Sequence, residues 1–443
     1  MTLEDLGDKK IIMIGFEATN RSFFHAIRKV HPTLNITIAD ANLKANIPND
    51  PNVESRLGPD YLEKLGGFDV IVRSPGVRYW PELEAEESRV ITATEIFFAT
   101  VRSQTKAKII GITGTKGKST VSSLMYEVLR DTGKEAFLVG NIDNQDWDIF
   151  DQITDSSWIV YELSSYMLED FNERPDIAVL LGIFPDHMNW HGDFETYAAA
   201  KANITRRQTK DDLLVFNSAN DNALLIADHS SAFRIPVNQE KGLHVQDGDL
   251  YDGANLAMKG SSIKLLGDHN KENVLLVLAV AKMLQIPYSH VEETVSRFTG
   301  LPHRLEAVVI NHGISFYDDA ISTTPESTIA AIRSFNEPIG AIILGGEDRG
   351  YDYGELALVI AESKVSSAIL LPGARQKIES ALNSANFTGK IVKADTMKSA
   401  VAACFEHAPK GSISLLSSAA PSYDTHKSFK EQGDEFQELV KQH

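Results

Sequence analysis

An α/β architecture of three mostly parallel, doubly wound sheets is what this sequence predicts. Short runs of β-branched residues recur at helix-length intervals, and several of them end on glycine or an acidic residue. The chain's 443 residues are also too many for one ordinary core and suggest about three domains.

The first block, residues 1–105, has apolar runs at residues 10–15, 35–40 and 69–74. A strand ending in Gly15, a helix, then a strand ending in Asp40 has the form of a mononucleotide-binding βαβ unit. The fingerprint is degenerate, because no second glycine appears in Phe16-Glu-Ala-Thr-Asn20. Ligand binding and plain α/β packing therefore stay equally open here. Ser74-Pro-Gly76 ends the third run as a tight loop at the carboxyl edge, where open sheets bind ligands.

The second block, residues 106–300, carries the strongest signal, Gly111-Ile-Thr-Gly-Thr-Lys-Gly-Lys-Ser-Thr120. An apolar run precedes it, and a helix with Val121, Leu124, Met125, Val128 and Leu129 on one face follows. Strand, glycine loop and helix N-terminus together cradle phosphates on backbone N–H groups, here those of Gly114, Thr115, Lys116 and Gly117. Lys118 supplies a cation for terminal phosphates, and Ser119 or Thr120 a hydroxyl for Mg²⁺. The spacing departs from the ordinary P-loop: Ile112 stands five before Gly117, and the glycine sits one residue earlier at Gly111. This block is expected to bind a nucleoside triphosphate as a P-loop ATPase-type domain. Further strands are expected at residues 158–162, 177–183 and 213–216. Glu162 and His187 then fall at the carboxyl ends of two of them, beside the phosphate loop. A carboxylate there suits Mg²⁺, which prefers oxygen ligands and shares them with phosphates. Tyr197-Ala-Ala-Ala-Lys201 reads as helix, and by itself its lysine reads as solvated.

The third block, residues 301–443, has strands expected at 314–318, 340–345, 367–371 and 412–416, a Rossmann-like alternation. Thr324 as N-cap, Pro325 at N1 and Ile329, Ile332 and Phe335 on one face specify a helix between the first two.

Composition excludes several classes. A net charge of −18 without a dense basic tract argues against a nucleic-acid partner. The lone Cys404 cannot form an internal disulfide and fits a reducing cytoplasm. The N-terminal residues lack signal-peptide order, and the apolar stretch 274–286 is short for a membrane span and carries Lys282. No membrane association is expected.

Taken in order, the phosphate loop, Glu162-Leu-Ser-Ser-Tyr166, Asp186-His187, Lys201, Gly267-Asp-His-Asn270 with Asn273, and Leu301-Pro-His-Arg304 resemble the Mur ligases. The short first domain ending in Ser74-Pro-Gly76, and the closing stretch from Leu416 to Phe436, resemble the glutamate-adding branch of that family. The resemblance spans essentially the whole chain. It implies an ATP-dependent ligase that joins glutamate to UDP-N-acetylmuramoyl-L-alanine through an acyl phosphate, in peptidoglycan precursor synthesis. The three domains would bind the UDP-sugar, ATP, and glutamate with ATP, respectively. By the same resemblance Lys118, Glu162, His187 and Lys201 are catalytic. Ser119 and Glu162 would hold one Mg²⁺, and His187 would hold a second together with Lys201 as its N-carbamate. Asn270, Arg304 and Asp319 would grip ATP with residues 114–120. Gly15, Asp40, Ser74, Gly76 and Asn141 would face the UDP-sugar. Thr323, Arg349, Ser422 and Phe429 would bind glutamate. A cytoplasmic monomer is expected.

Departures gather at the amino-acid pocket. The family's Asp-Ser-Lys-Ala-Thr-Asn-Pro is here Asp319-Ala-Ile-Ser-Thr-Thr-Pro325, with Ile321 in place of lysine. Its Gly-Gly-Asp-Gly-Lys is Gly345-Gly-Glu-Asp-Arg349, so a cation survives as a bidentate carboxylate binder. Its Gly-Asn-Ile-Gly ends in Asp143, and Met167 replaces the glutamine after Ser-Ser-Tyr. Several variants resemble a branch that adds L-glutamate, so both stereoisomers stay open, D-glutamate first. A folylpolyglutamate synthetase-like ligase and a non-catalytic nucleotide-binding module would also carry such a phosphate loop. The first lacks a separate domain before the loop, and the second predicts losses among Lys118, Glu162, His187 and Lys201, all of which are present.

Overall fold

A computed structural model describes residues 1–142 and 144–443, so Asp143 lies outside the described residues. The chain forms two compact units: Met1–Ile263 with Lys271–Val295, and Lys264–Asn270 with Ser296–His443.

The first unit holds two large parallel sheets. Strands β1 (Ile11–Ile14), β2 (Ile36–Asp40), β3 (Val53–Leu57), β4 (Val70–Arg73) and β5 (Val90–Thr92) are arranged in the order β3-β2-β1-β4-β5. All their pairings are parallel. Strands β6 (Lys108–Thr113), β7 (Ala136–Gly140), β8 (Trp158–Glu162), β9 (Ile177–Leu180), β10 (Leu213–Asn217) and β11 (Phe233–Val237) form the second sheet, in the order β11-β10-β9-β6-β8-β7. It too is parallel throughout. Buried on both faces, the central strands read as continuous apolar runs such as Ile-Ile-Met-Ile in β1. That property makes them visible in the sequence.

Both sheets share one hydrophobic core. Phe97 meets Trp147 edge-on at 5.4 Å, Phe98 lies 5.1 Å from both Tyr161 and Phe171, and Phe23 lies 4.9 Å from Trp147. The Trp147 indole N–H donates to the Ala93 carbonyl at 3.1 Å, which satisfies the polar atom of this buried indole.

Strands β12 (Leu243–Gln246), β13 (Asp249–Asp252) and β14 (Asn255–Met258) make a small antiparallel sheet that sequence reasoning does not anticipate. Its strands are four residues each and mostly polar or half-exposed, too short to display a period. The outer strand β3 escapes for the same reason, reading Val-Glu-Ser-Arg-Leu with no fully buried side chain.

The second unit is built on β15 (Glu306–Asn311), β16 (Ile314–Asp318), β17 (Ile339–Gly346), β18 (Ser367–Gly373), β19 (Lys390–Lys393) and β20 (Ile413–Leu416), ordered β15-β16-β20-β17-β18-β19. Only β15 runs antiparallel to its neighbour. The helix Pro325–Arg333 starts as expected: Thr324 caps it by accepting from the Ser327 N–H, and Pro325 occupies the first turn, where its missing N–H costs nothing.

Candidate active site

The phosphate loop leaves the carboxyl end of β6 and is held by its neighbours in the first unit. The Thr115 N–H donates to the Gly182 carbonyl at 2.9 Å. Its hydroxyl lies 2.9 Å from the Tyr197 hydroxyl and takes the Phe184 N–H at 2.9 Å. Gly117 is left-handed, with φ 86°, and an added Cβ would lie 2.5 Å from Asn273 Oδ1 and 2.8 Å from Leu181 Cδ2. Only glycine fits there. Gly117 is also the N-cap of the helix Lys118–Asp131, whose start no side chain caps. The first-turn N–H groups and the positive end of the helix dipole therefore face the loop. Lys118 curls back over it, donating to the Gly114 and Thr115 carbonyls at 3.0 Å each. Lys116 is exposed, Ser119 half-buried and Thr120 buried.

Parallel pairing sets Glu162 beside the loop, since β8 lies next to β6 with Ile112 opposite Glu162. The carboxylate is buried. Oε1 accepts from the Asn141 side-chain amide at 3.0 Å, while among the described residues nothing donates to Oε2. A buried carboxylate oxygen without a donor is costly, so this atom suits a bound cation. The same hydrogen bond shows where Asn141 lies: beside Glu162, at the end of β7.

His187 follows β9 in a left-handed conformation, φ 57°. Its ring packs between Tyr166, 5.2 Å away, and Tyr197, 6.3 Å away. Burial pushes its pKa down, and Lys118, Lys201 and Lys116 act in the same direction against Asp186. A neutral imidazole is the form that binds metals.

Lys201 is not the solvated helix lysine that its local sequence suggests. It is 1% exposed. Its ammonium lies 3.4 Å from the Thr113 hydroxyl and 5.0 Å from the Tyr197 ring centroid. Burial holds its pKa well below the usual lysine value, with the neighbouring Lys118 adding to the shift. The register of the helix Phe194–Arg206, whose N-cap Asp193 accepts from Thr196, turns this position inward.

In the first sheet, Gly15 is left-handed with φ 76°, and a Cβ there would lie 2.6 Å from Val77 Cγ2. Asp40 takes the Phe16 and Asn42 N–H groups on its two oxygens, each at 2.8 Å, and so fastens the loop after β1. Ser74 is buried, whereas a side chain at Gly76 would meet only open space. Sequence reasoning passes over the neighbouring Arg73, although an arginine closing the apolar strand Val-Ile-Val is a visible signal.

In the second unit Asp319 accepts from the Leu305 N–H at 3.2 Å and the Ser417 hydroxyl at 2.8 Å, and burial pushes its carboxyl up to about 6. Nothing among the described residues accepts from the buried Arg304 Nε, and the Arg304 charge favours ionised Asp319. Asn270 donates to the Leu266 carbonyl at 2.7 Å. The loop carrying Arg349 meets the segment carrying Ser422: the Glu347 N–H donates to the Pro421 carbonyl at 2.7 Å. Arg349 lies over the Tyr423 ring at 5.6 Å and pairs with Glu347 at 2.7 Å. Thr323 sits by the turn after β20, tied through the Ala419 N–H to the Ser322 carbonyl. Phe429 opens the helix Phe429–Gln442, its ring 6.1 Å from that of His303.

His303, Glu306 and Asp318 converge closely enough to suggest a metal site. The place of a cation is taken by Gln437, whose amide donates to Glu306 at 3.0 Å and Asp318 at 2.9 Å. His303 Nδ1 pairs with Asp318 Oδ2 at 2.7 Å. These four form a satisfied structural junction.

Two family signatures match the chain: the Mur ligase middle domain over residues 112–281 and the Mur ligase glutamate ligase domain over residues 303–420. Curated relatives match it nearly end to end. The UDP-N-acetylmuramoylalanine–D-glutamate ligase of Streptococcus thermophilus is 32% identical, with 98% of each chain covered. The protein of the same name from Acetivibrio thermocellus is 34% identical, over 88% of this chain and 86% of its own. The chain belongs to the Mur ligase family. As a Mur ligase it also shares its fold with the UDP-N-acetylmuramate-alanine ligase of Thermotoga maritima, at a TM-score of 0.59 and 16% identity, covering 98% of this chain and 99% of that one. The first Mur ligase signature encloses Lys118, Glu162, His187 and Lys201; the second encloses Arg304, Asp319, Thr323 and Arg349.

Proposed function

We propose that this Mur ligase uses ATP to join D-glutamate to UDP-N-acetylmuramoyl-L-alanine, a step of peptidoglycan precursor synthesis. The observation that carries it is the near full-length likeness to relatives named for that reaction. Neither the L-glutamate reading nor a folylpolyglutamate synthetase-like one has comparable support.

The alanyl carboxylate would attack the γ-phosphoryl of ATP, ADP would leave, and the glutamate amine would then displace phosphate from the acyl phosphate. The first step brings two anions together, so charge must be supplied where they meet. Lys118 and the uncapped helix start hold the phosphates. Mg²⁺, when bound, supplies the remaining positive charge. The donorless oxygen of Glu162 with the Ser119 hydroxyl fits one ion. His187 and Lys201 would hold a second, with Lys201 as its N-carbamate, an anionic oxygen ligand in place of a buried amine. Asn270, Arg304 and Asp319 are assigned to ATP, and Gly15, Asp40, Ser74, Gly76 and Asn141 to the UDP-sugar. Asn141 would act there through its bond to Glu162. Thr323, Arg349, Ser422 and Phe429 are assigned to the glutamate carboxylates, for which Arg349 offers a planar fork. Domain limits of 1–105, 106–300 and 301–443 accompany these roles. The reaction is placed in the cytoplasm, carried out by a monomer.

Phosphate release from Mg-ATP with UDP-N-acetylmuramoyl-L-alanine, compared between D- and L-glutamate, tests this directly. Turnover with D-glutamate is expected. Turnover with L-glutamate alone would transfer the assignment to the other stereoisomer, and turnover with neither would remove it.

A further inference from the structure

The side chain of Arg73, at the end of β4, is completely buried. A guanidinium is tolerated away from water only when carboxylates and carbonyls meet its donors. Nε and Nη2 donate to the two oxygens of Asp170 at 3.0 and 2.7 Å, a bidentate fork. Nη1 donates to the Val77 carbonyl at 2.6 Å and lies 3.4 Å from Glu169 Oε2. Nη2 also reaches the Tyr166 carbonyl at 3.4 Å.

The placement of these contacts matters more than their number. Arg73 directly precedes residues 74–76, and its bond to Val77 closes the far end of the same loop. Tyr166, Glu169 and Asp170 come just after β8 and Glu162. A second tie runs parallel: Arg78 Nη2 donates to the Trp190 carbonyl at 2.8 Å, in the turn after His187.

We propose that Arg73 is a positioning residue, and that its pairing with Asp170 sets the loop at residues 74–76 against the edge carrying Glu162 and His187. This rests on the proposed function, in which that loop holds the sugar nucleotide and that edge the phosphates. A substrate anchored at one sheet must present its far carboxylate at the other, and misplacement by about 1 Å can cost on the order of 100-fold in rate. Stability is a weak account of the pair, because apolar residues of similar volume often replace a buried ion pair without loss. Lysine is no substitute, since a single ammonium cannot reproduce the fork and the Val77 contact together.

The test is steady-state kinetics on the full chain, varying UDP-N-acetylmuramoyl-L-alanine and ATP in turn, with melting curves alongside. Arg73→Lys keeps the charge. The double variant Arg73→Met with Asp170→Leu leaves no unpaired charge from this pair and is expected to fold. Both should lose about tenfold or more in kcat/KM for the sugar nucleotide, while the KM for ATP moves less than about threefold. Folded variants that keep sugar-nucleotide kcat/KM within about twofold, or that weaken both substrates alike, would overturn the positioning role. A wild-type chain that binds ATP yet never turns over UDP-N-acetylmuramoyl-L-alanine would instead overturn the proposed function.

Discussion

Lys201 and Glu162 show opposite ways in which a buried group can be left short of partners. The lysine amine is buried beside Lys118, which together with burial disfavours its charged form, and the carboxylate presents an oxygen that nothing among the described residues satisfies. Each is awkward for an isolated fold and useful to a site that admits metal and phosphate. Lys201→Ala is expected to abolish turnover, and short-chain carboxylic acids to restore part of it by supplying the missing oxygen ligand. Unchanged activity in the variant would remove the metal-ligand role. Glu162→Gln should keep the hydrogen bond from Asn141 while removing the charge. Its kcat is expected to fall by about 100-fold or more, with no loss of melting temperature in the absence of ligands. A variant that melts early and loses activity only in proportion would point to a structural role.

Among the elements, what can be read in advance tracks burial. Central strands such as β1, β8 and β16 are legible because apolar side chains fill both faces or alternate cleanly. Short half-exposed strands, including β3 and β12 to β14, carry too little periodic signal. The site follows the same division. Residues 114–120 can be proposed from their motif, and Glu162 and His187 from lying together at strand ends beside it. The burial of Lys201 needs the helix register, and the Arg73–Asp170 pair needs the way two sheets meet, which no local window contains. The junction of His303 with Asp318 and Gln437 is hidden likewise, because its members lie on β16, a turn and the last helix. It carries its own prediction. The bond to Asp318 raises the His303 pKa against the effect of burial, with Asp434 and Glu306 assisting. Stability from this ion pair is fully present below the unfolded histidine pKa of about 6.5 and is lost as pH rises through the higher folded value. The gap in urea midpoint between wild type and His303→Gln should therefore narrow from pH 6 to pH 9. A gap that widens would contradict the charged pair.

For the whole molecule, the net charge of −18 must be reconciled with proposed substrates that are all anions. Long-range repulsion acts over about 30 Å at 10 mM salt and about 10 Å at 100 mM. Contacts inside the cationic phosphate loop are screened far less. Moderate salt should therefore raise kcat/KM for the sugar nucleotide between those concentrations, and a steady fall would show that local cations govern approach as well as binding. The aromatic core around Trp147 has another consequence at this scale. Phe23, Phe97 and Phe98 belong to the first residues of the chain, yet their packing partners Trp147, Tyr161 and Phe171 are contributed after the phosphate loop. The portion proposed to hold the sugar nucleotide is thus not a transplantable cassette. Expressed as residues 1–105 alone, it would present a sticky aromatic face and aggregate, and grafting it before another ligase core would require that core to bring its own tryptophan.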